Sequence, residues 1–120
     1  MIKIDSVRWG EIEVDGQEFR QVLIIKDQVF ERDSEKLHQL FDTSHKIGDW
    51  EVEELFKDNP EVIIIGTGWA GVLNVSEELK AKSEKLQIGL RVLRTPKAVE
   101  EYNKLRGEGK RVNALIHTTC

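Results

Sequence analysis

Residues 61–71, Glu-Val-Ile-Ile-Ile-Gly-Thr-Gly-Trp-Ala-Gly, carry the groups in this sequence best placed to do chemistry. The apolar run Val62 to Ile65 drops into a glycine-rich loop, and a helix signal follows at Ser76. Consecutive β-branched residues suit a strand buried on both faces, as in a parallel sheet covered by helices. Glycines turn the backbone sharply and leave amide N–H groups uncovered, which suits an anion. Gly66, Gly68 and Gly71 also match the dinucleotide-binding spacing, but that fingerprint needs a helix beginning inside the glycines and an acid about 20 residues on. Here Val72-Leu73-Asn74-Val75 intervene, and the next strand ends in Arg94-Thr95 with no carboxylate. The lysine of a phosphate-binding nucleotidase loop is absent as well.

What remains is an edge. If strands 62–65 and 87–93 lie side by side and parallel, Gly66, Thr67, Gly68 and Trp69 share a rim with Arg94 and Thr95. Open α/β sheets bind ligands at the carboxyl ends of their strands. Arg94 and Lys97 bring charge, Thr67 and Thr95 bring hydroxyls, and Trp69 a wall, a set that fits an anionic small molecule.

The elements that must hold this edge can be read from periodicity. Trp9, Ile12 and Val14 fall on a first strand ending at Asp15-Gly16, a strong hairpin signal. A return strand runs from Glu18 to about Lys26, and Val29-Phe30 forms a short third one. Residues 31–49 read as an irregular loop with a helical turn near Leu37, Leu40 and Phe41. Asp49 caps a helix with Trp50, Val52, Leu55 and Phe56 on its apolar face, stopped by Asp58-Asn59-Pro60. Ser76 caps a second, with Glu77 and Glu78 in the first turn where the helix dipole favours acids. Leu86 to Leu93 returns as a strand. Thr95-Pro96 reads as an N-cap followed by proline at the first helical position, opening a helix that ends at Gly107-Glu108-Gly109. Val112 to Ile116 is the last strand. The expected fold is therefore α/β: one domain over residues 1–120, three layers, a mixed central sheet with flanking helices, and an N-terminal antiparallel hairpin.

At 120 residues the chain is long enough for a core without staples, and its net charge of −4 gives no field to gather nucleic acid or anionic lipid. Cys120 is the one cysteine, so no intrachain disulfide forms. Without a leader-like start or an apolar run near the roughly 20 residues that span a bilayer, a cytoplasmic location is expected. His38, His45 and His117 show no metal-ligand spacing, and His117 with Cys120 falls at an end expected to be mobile. Asp42, His45 and Asp49 read as a solvated loop cluster. No nucleophile elbow occurs, and no acid–base couple stands out. No catalytic residue and no metal site are expected.

The set Trp9-Gly10-Glu11-Ile12, Asp15-Gly16, Ile63-Ile64-Ile65-Gly66-Thr67-Gly68, Glu101-Tyr102-Asn103-Lys104-Leu105 and Glu108-Gly109-Lys110-Arg111-Val112-Asn113-Ala114-Leu115 resembles a small family of domains over most of the chain. That family includes an adipogenesis-associated protein and a mitochondrial respiratory complex I assembly factor. The resemblance implies the same three-layer fold, a family for which no enzymatic activity and no cofactor is established, and an assembly or regulatory role with a protein partner. Two readings follow: a non-enzymatic interaction module, or a binder of an anionic small molecule, with an enzyme as one form of it, at the Gly66–Trp69/Arg94–Thr95 edge. Trp50 and Trp69, if uncovered, are the expected contact residues of the first.

Overall fold

The computed structural model describes residues 2–120. These form β1 (Ile4–Arg8), β2 (Glu11–Val14), β3 (Gln17–Phe19), β4 (Val22–Ile25), β5 (Gln28–Glu31), α1 (Ser34–Phe41), α2 (Asp49–Leu55), β6 (Val62–Thr67), α3 (Glu77–Lys85), β7 (Gly89–Leu93), α4 (Thr95–Gly107) and β8 (Val112–His117). The strands make two sheets. One is three-stranded and antiparallel, in the order β1-β2-β3; the other is five-stranded and mixed, in the order β5-β4-β8-β6-β7. β6 runs parallel to both β7 and β8, while β4 is antiparallel to β8 and β5.

The apolar run of β6 is explained by its position between two helical layers. Ile64 joins α4 (Ala98, Val99, Tyr102, Leu105) and the small sheet (Ile4, Ile12, Val14) on one face. Its neighbours Ile63 and Ile65 point the other way, to Val52 and Leu55 of α2 and Leu79 of α3. Alternation along the strand thus serves two cores, and no position is left for a polar residue. The small sheet is pinned to α4 by Asn103, whose side chain accepts from the Ile4 amide at 2.9 Å and donates to the Ile4 carbonyl at 2.8 Å.

The N-terminal third departs from the expected hairpin. Ile4–Arg8 is a strand, irregular between Ile4 and Ser6, and Trp9 lies in the turn after it. The Asp15-Gly16 turn is as expected, with both residues at positive φ. The return segment is two strands, broken at Arg20-Gln21 and divided between the two sheets. The break has a cause: the buried Gln21 side chain is needed in a polar network described below.

Two helix starts also differ. The N-cap of α2 is Gly48, whose amide donates to Glu51 Oε1 at 3.0 Å; Asp49 is already helical. The N-cap of α4 is Arg94, because the Thr95 hydroxyl is engaged elsewhere. Ser76 caps α3 as expected, its hydroxyl accepting from the Leu79 amide at 3.1 Å. No helix among the described residues is long and apolar enough to cross a membrane.

Candidate functional site

The register of β6 with β7 sets Ile65 beside Val92 and Gly66 beside Leu93, so the two exit turns do share a rim. β8 ends there too, with Thr67 paired to His117. Thr95 joins the three ends: its hydroxyl accepts from the Gly68 amide at 2.9 Å and donates to the His117 carbonyl. The Thr67 hydroxyl donates to the Leu93 carbonyl at 3.1 Å.

The glycine-loop amides are not uncovered. Residues 118–120 return across the loop, and the amides of Trp69, Ala70 and Val72 donate to carbonyls of Thr119, Cys120 and Cys120 at 2.8, 2.9 and 3.1 Å. Gly68 sits at φ +99°, and a Cβ there would overlap the Cys120 backbone. The glycine is required by close packing of the chain on itself, not by a bound phosphate. On the far side of the same segment, the Gly10 amide donates to the Thr118 carbonyl at 3.0 Å.

Of the six expected site residues, Arg94 is exposed and borders open space together with the largely buried Thr67, while Gly66, Gly68 and Thr95 are buried behind them and Trp69 is half-buried. The open space is a groove between β7 and the β6–α3 loop, walled by Leu73, Val75, Lys80 and Val92 with Thr67 and Arg94. Its lining mixes the apolar Leu73, Val75 and Val92 with the polar and charged Thr67, Asn74, Glu77, Lys80 and Arg94. Arg94 lies over Gly71 and has no carboxylate within 4 Å among the described residues. Lys80 pairs with Glu77 of its own helix at 3.3 Å, an exposed contact worth little. Leu73, Val75, Lys80 and Val92 were not read as site residues, because only the fold of the 70–75 loop against β7 makes them neighbours.

Trp50 is half-buried, packed beside Gly48 and under the Lys36 ammonium at 4.1 Å from its ring. The most exposed tryptophan is Trp9, at the β1–β2 turn.

A second polar cluster lies beneath the rim. Arg32 and Glu51 form an ion pair buried on both sides, at 2.7 and 2.9 Å. Arg32 also donates to Gln21 Oε1 at 2.8 Å and to the carbonyls of Ser44 and Lys46. Gln21 Oε1 lies 2.7 Å from His117 Nδ1. A guanidinium only donates, so this oxygen must accept from both neighbours, and His117 carries its proton on Nδ1. His117 Nε2 then accepts from the Thr119 hydroxyl at 3.1 Å. His117 is fully buried within the last strand, so the expectation of a mobile end does not hold. Nor is His45 merely a solvated loop residue: it is half-buried and meets His117 edge-on at 5.2 Å.

Thr119, His117 and Gln21 have the outline of a nucleophile, base and orienting group. Their electrostatics oppose that use. Burial first, then Arg32 and His45, push His117 down to about 4. Taking a proton from Thr119 would create an imidazolium facing the Arg32 cation with only a neutral amide between them. The cluster instead ties β4, β8, α2 and the 44–48 loop together.

The geometry defines a class: a mixed α/β domain with helices on both faces, a small sheet packed on one of them, and a groove at the carboxyl ends of its parallel strands. The chain belongs to the family described as Protein of unknown function (DUF498/DUF598), whose pattern matches residues 4–117. It is similar to the solved structure of MT938, at 33% identity over 100% of both chains with a TM-score of 0.80. It is also similar to the conserved hypothetical protein PH1505 from Pyrococcus horikoshii OT3, at 32% identity over 98% of this chain and 99% of that one, with a TM-score of 0.83. A Mth938-like domain from Bordetella pertussis shares the fold at 20% identity, covering 96% of this chain and 84% of that one, with a TM-score of 0.56.

Proposed function

We propose that this chain acts by binding, as a protein-interaction or assembly module, and that its contact surface is the β7 flank with the adjoining groove. The observation that carries the reading is the distribution of exposed apolar side chains. Six large ones stand exposed among the described residues, and one of them, Val92 at 44%, lies on β7 and lines the groove. The others stand on separate segments outside the groove's lining: Trp9 in a turn, Phe30 on β5, Leu40 on α1, Val72 in the β6–α3 loop and Leu86 just after α3. Single exposed apolar residues are ordinary, so what marks Val92 is its place on an open sheet edge beside a groove. The resemblance of the sequence to a set of domains that includes one assembly factor supports the same reading.

The test is affinity capture from extract of the source cells with three baits: the parent, Val92→Glu and Leu40→Glu. A partner held by the parent and by Leu40→Glu but lost by Val92→Glu supports the surface. Recovery of nothing above control by the parent overturns the module reading.

A second reading uses the same groove for an anionic small molecule. Arg94, unpaired and beside the Thr67 hydroxyl, favours it. A ligand at a hundredfold its dissociation constant adds about 2.7 kcal/mol of stability. A thermal-shift screen of anionic metabolites should find one whose effect Arg94→Ala abolishes; a screen with no shift for the parent removes this reading.

A further inference from the structure

Resting on the interaction-module reading, we infer that the groove takes an extended segment of a partner protein, added as a sixth strand against β7 and bearing an acidic side chain at the Arg94 end. β7 is an edge strand of the five-stranded sheet. The Gly89 amide donates to the Glu61 carbonyl and the Thr95 amide to the Gly68 carbonyl, so both point toward β6. The two-residue period of a strand aligns Arg91 and Leu93 with them and turns the N–H and C=O groups of Leu90 and Val92 outward. Those groups form a free template for another chain.

Edge strands are usually guarded by charge. Here the one charged side chain within β7, Arg91, is drawn to Glu101 of α4 at 2.5 Å. Val92 is left exposed over the groove. Strand addition joins main-chain hydrogen bonds to pockets for alternate side chains, and Leu73, Val75 and Val92 supply the apolar part of a groove of mixed lining. Charge selects the occupant. The groove's ionisable lining is Arg94, Lys80 and Glu77, a local excess of one positive charge on a chain of net −4. Lys80 has a weak, exposed contact with Glu77, whereas Arg94 has no carboxylate within 4 Å among the described residues and is the group awaiting one. A second copy is a poor occupant: β7 paired antiparallel with itself about its middle would set Arg91 against Arg91.

The probe is an end-blocked hexapeptide of alternating valine and glutamate, compared with its valine–lysine counterpart and with a valine–glutamate peptide N-methylated at alternate amides. Amide NMR of the full-length protein reads binding. The expected result is saturable shifts and slowed exchange at Leu90, Val92 and Arg94 with the first peptide only, weakened about tenfold by Arg94→Ala, as losing one charge-assisted hydrogen bond requires. Equal binding of the lysine peptide or the N-methylated peptide overturns the inference. So does a change confined to other strands, or parent protein whose β7 amides become protected with its own concentration. A partner captured equally by the parent and by Val92→Glu overturns this docking mode while leaving the module reading standing; capture of no partner removes the reading beneath it.

Discussion

Acid should loosen this fold through His117 well before its carboxylates titrate. The ring is buried and neutral, with Nδ1–H donated to Gln21 and Nε2 accepting from Thr119, and Arg32 stands behind Gln21. The folded state holds the group at about 4 against 6.5 when unfolded. A lowered histidine means that the unfolded chain binds the proton more readily, so stability is intact above pH 6.5 and falls as pH drops toward 4. At 1.36 kcal/mol per pH unit the full loss is about 3 kcal/mol, a large part of the stability of a small domain. Asp27 and Glu61 are held below their ordinary values by the Arg106 side chain and the Arg111 amide respectively. Their contributions are lost only at lower pH, which keeps the window from pH 7 to 5 for His117. Urea unfolding at pH 7, 6 and 5 should give midpoints that fall steadily for the parent. In His117→Asn, whose amide keeps a donor near the Nδ1 position, the midpoint should start lower and stay nearly flat. Parallel slopes for the two proteins would rule out His117 as the cause, as would an NMR titration placing His117 near 6.5.

Other outcomes follow from the same structure. Glu51→Gln leaves the Arg32 guanidinium buried without a counter-charge and should cost about 3–5 kcal/mol in urea unfolding; replacing both partners by methionine should recover much of that. The Tyr102 hydroxyl is buried with no hydrogen-bond partner among the described residues, so Tyr102→Phe should be neutral or stabilising by up to about 1 kcal/mol by calorimetry. Gly68→Ala should cost about 1–3 kcal/mol and speed exchange of the Trp69 and Ala70 amides, because residues 119–120 would be pushed off the loop.

What could be read in the sequence was what local chemistry writes there. The β6 run, the Asp15-Gly16 turn, the Ser76 cap and the proline opening α4 each act within a few residues, and each lies where periodicity put it. The parallel neighbourhood of β6 and β7 followed from the helix between them, and with it the shared rim of Thr67 and Arg94. Pairings that span the chain left no local mark. Gln21 meets His117 across 96 residues, and Arg32 is buried because Glu51 and two loop carbonyls converge on it, so a polar stretch that reads as solvated is partly core. The glycine loop shows the same limit in reverse. Its residue types were plain, but the partner of its amides was the distant 119–120 segment, which no spacing rule announces. β1 was hidden by Asp5 and Ser6 at an irregular register, where alternation fails.

The proposed contact surface is β7 with its groove. Hydrogen–deuterium exchange of the purified protein, alone and mixed with the partner captured by the parent bait, tests that directly. Slowed exchange concentrated in residues 67–75 and 89–94 is the expected pattern. Unchanged exchange there, with protection appearing over β5 or α1 instead, would contradict it.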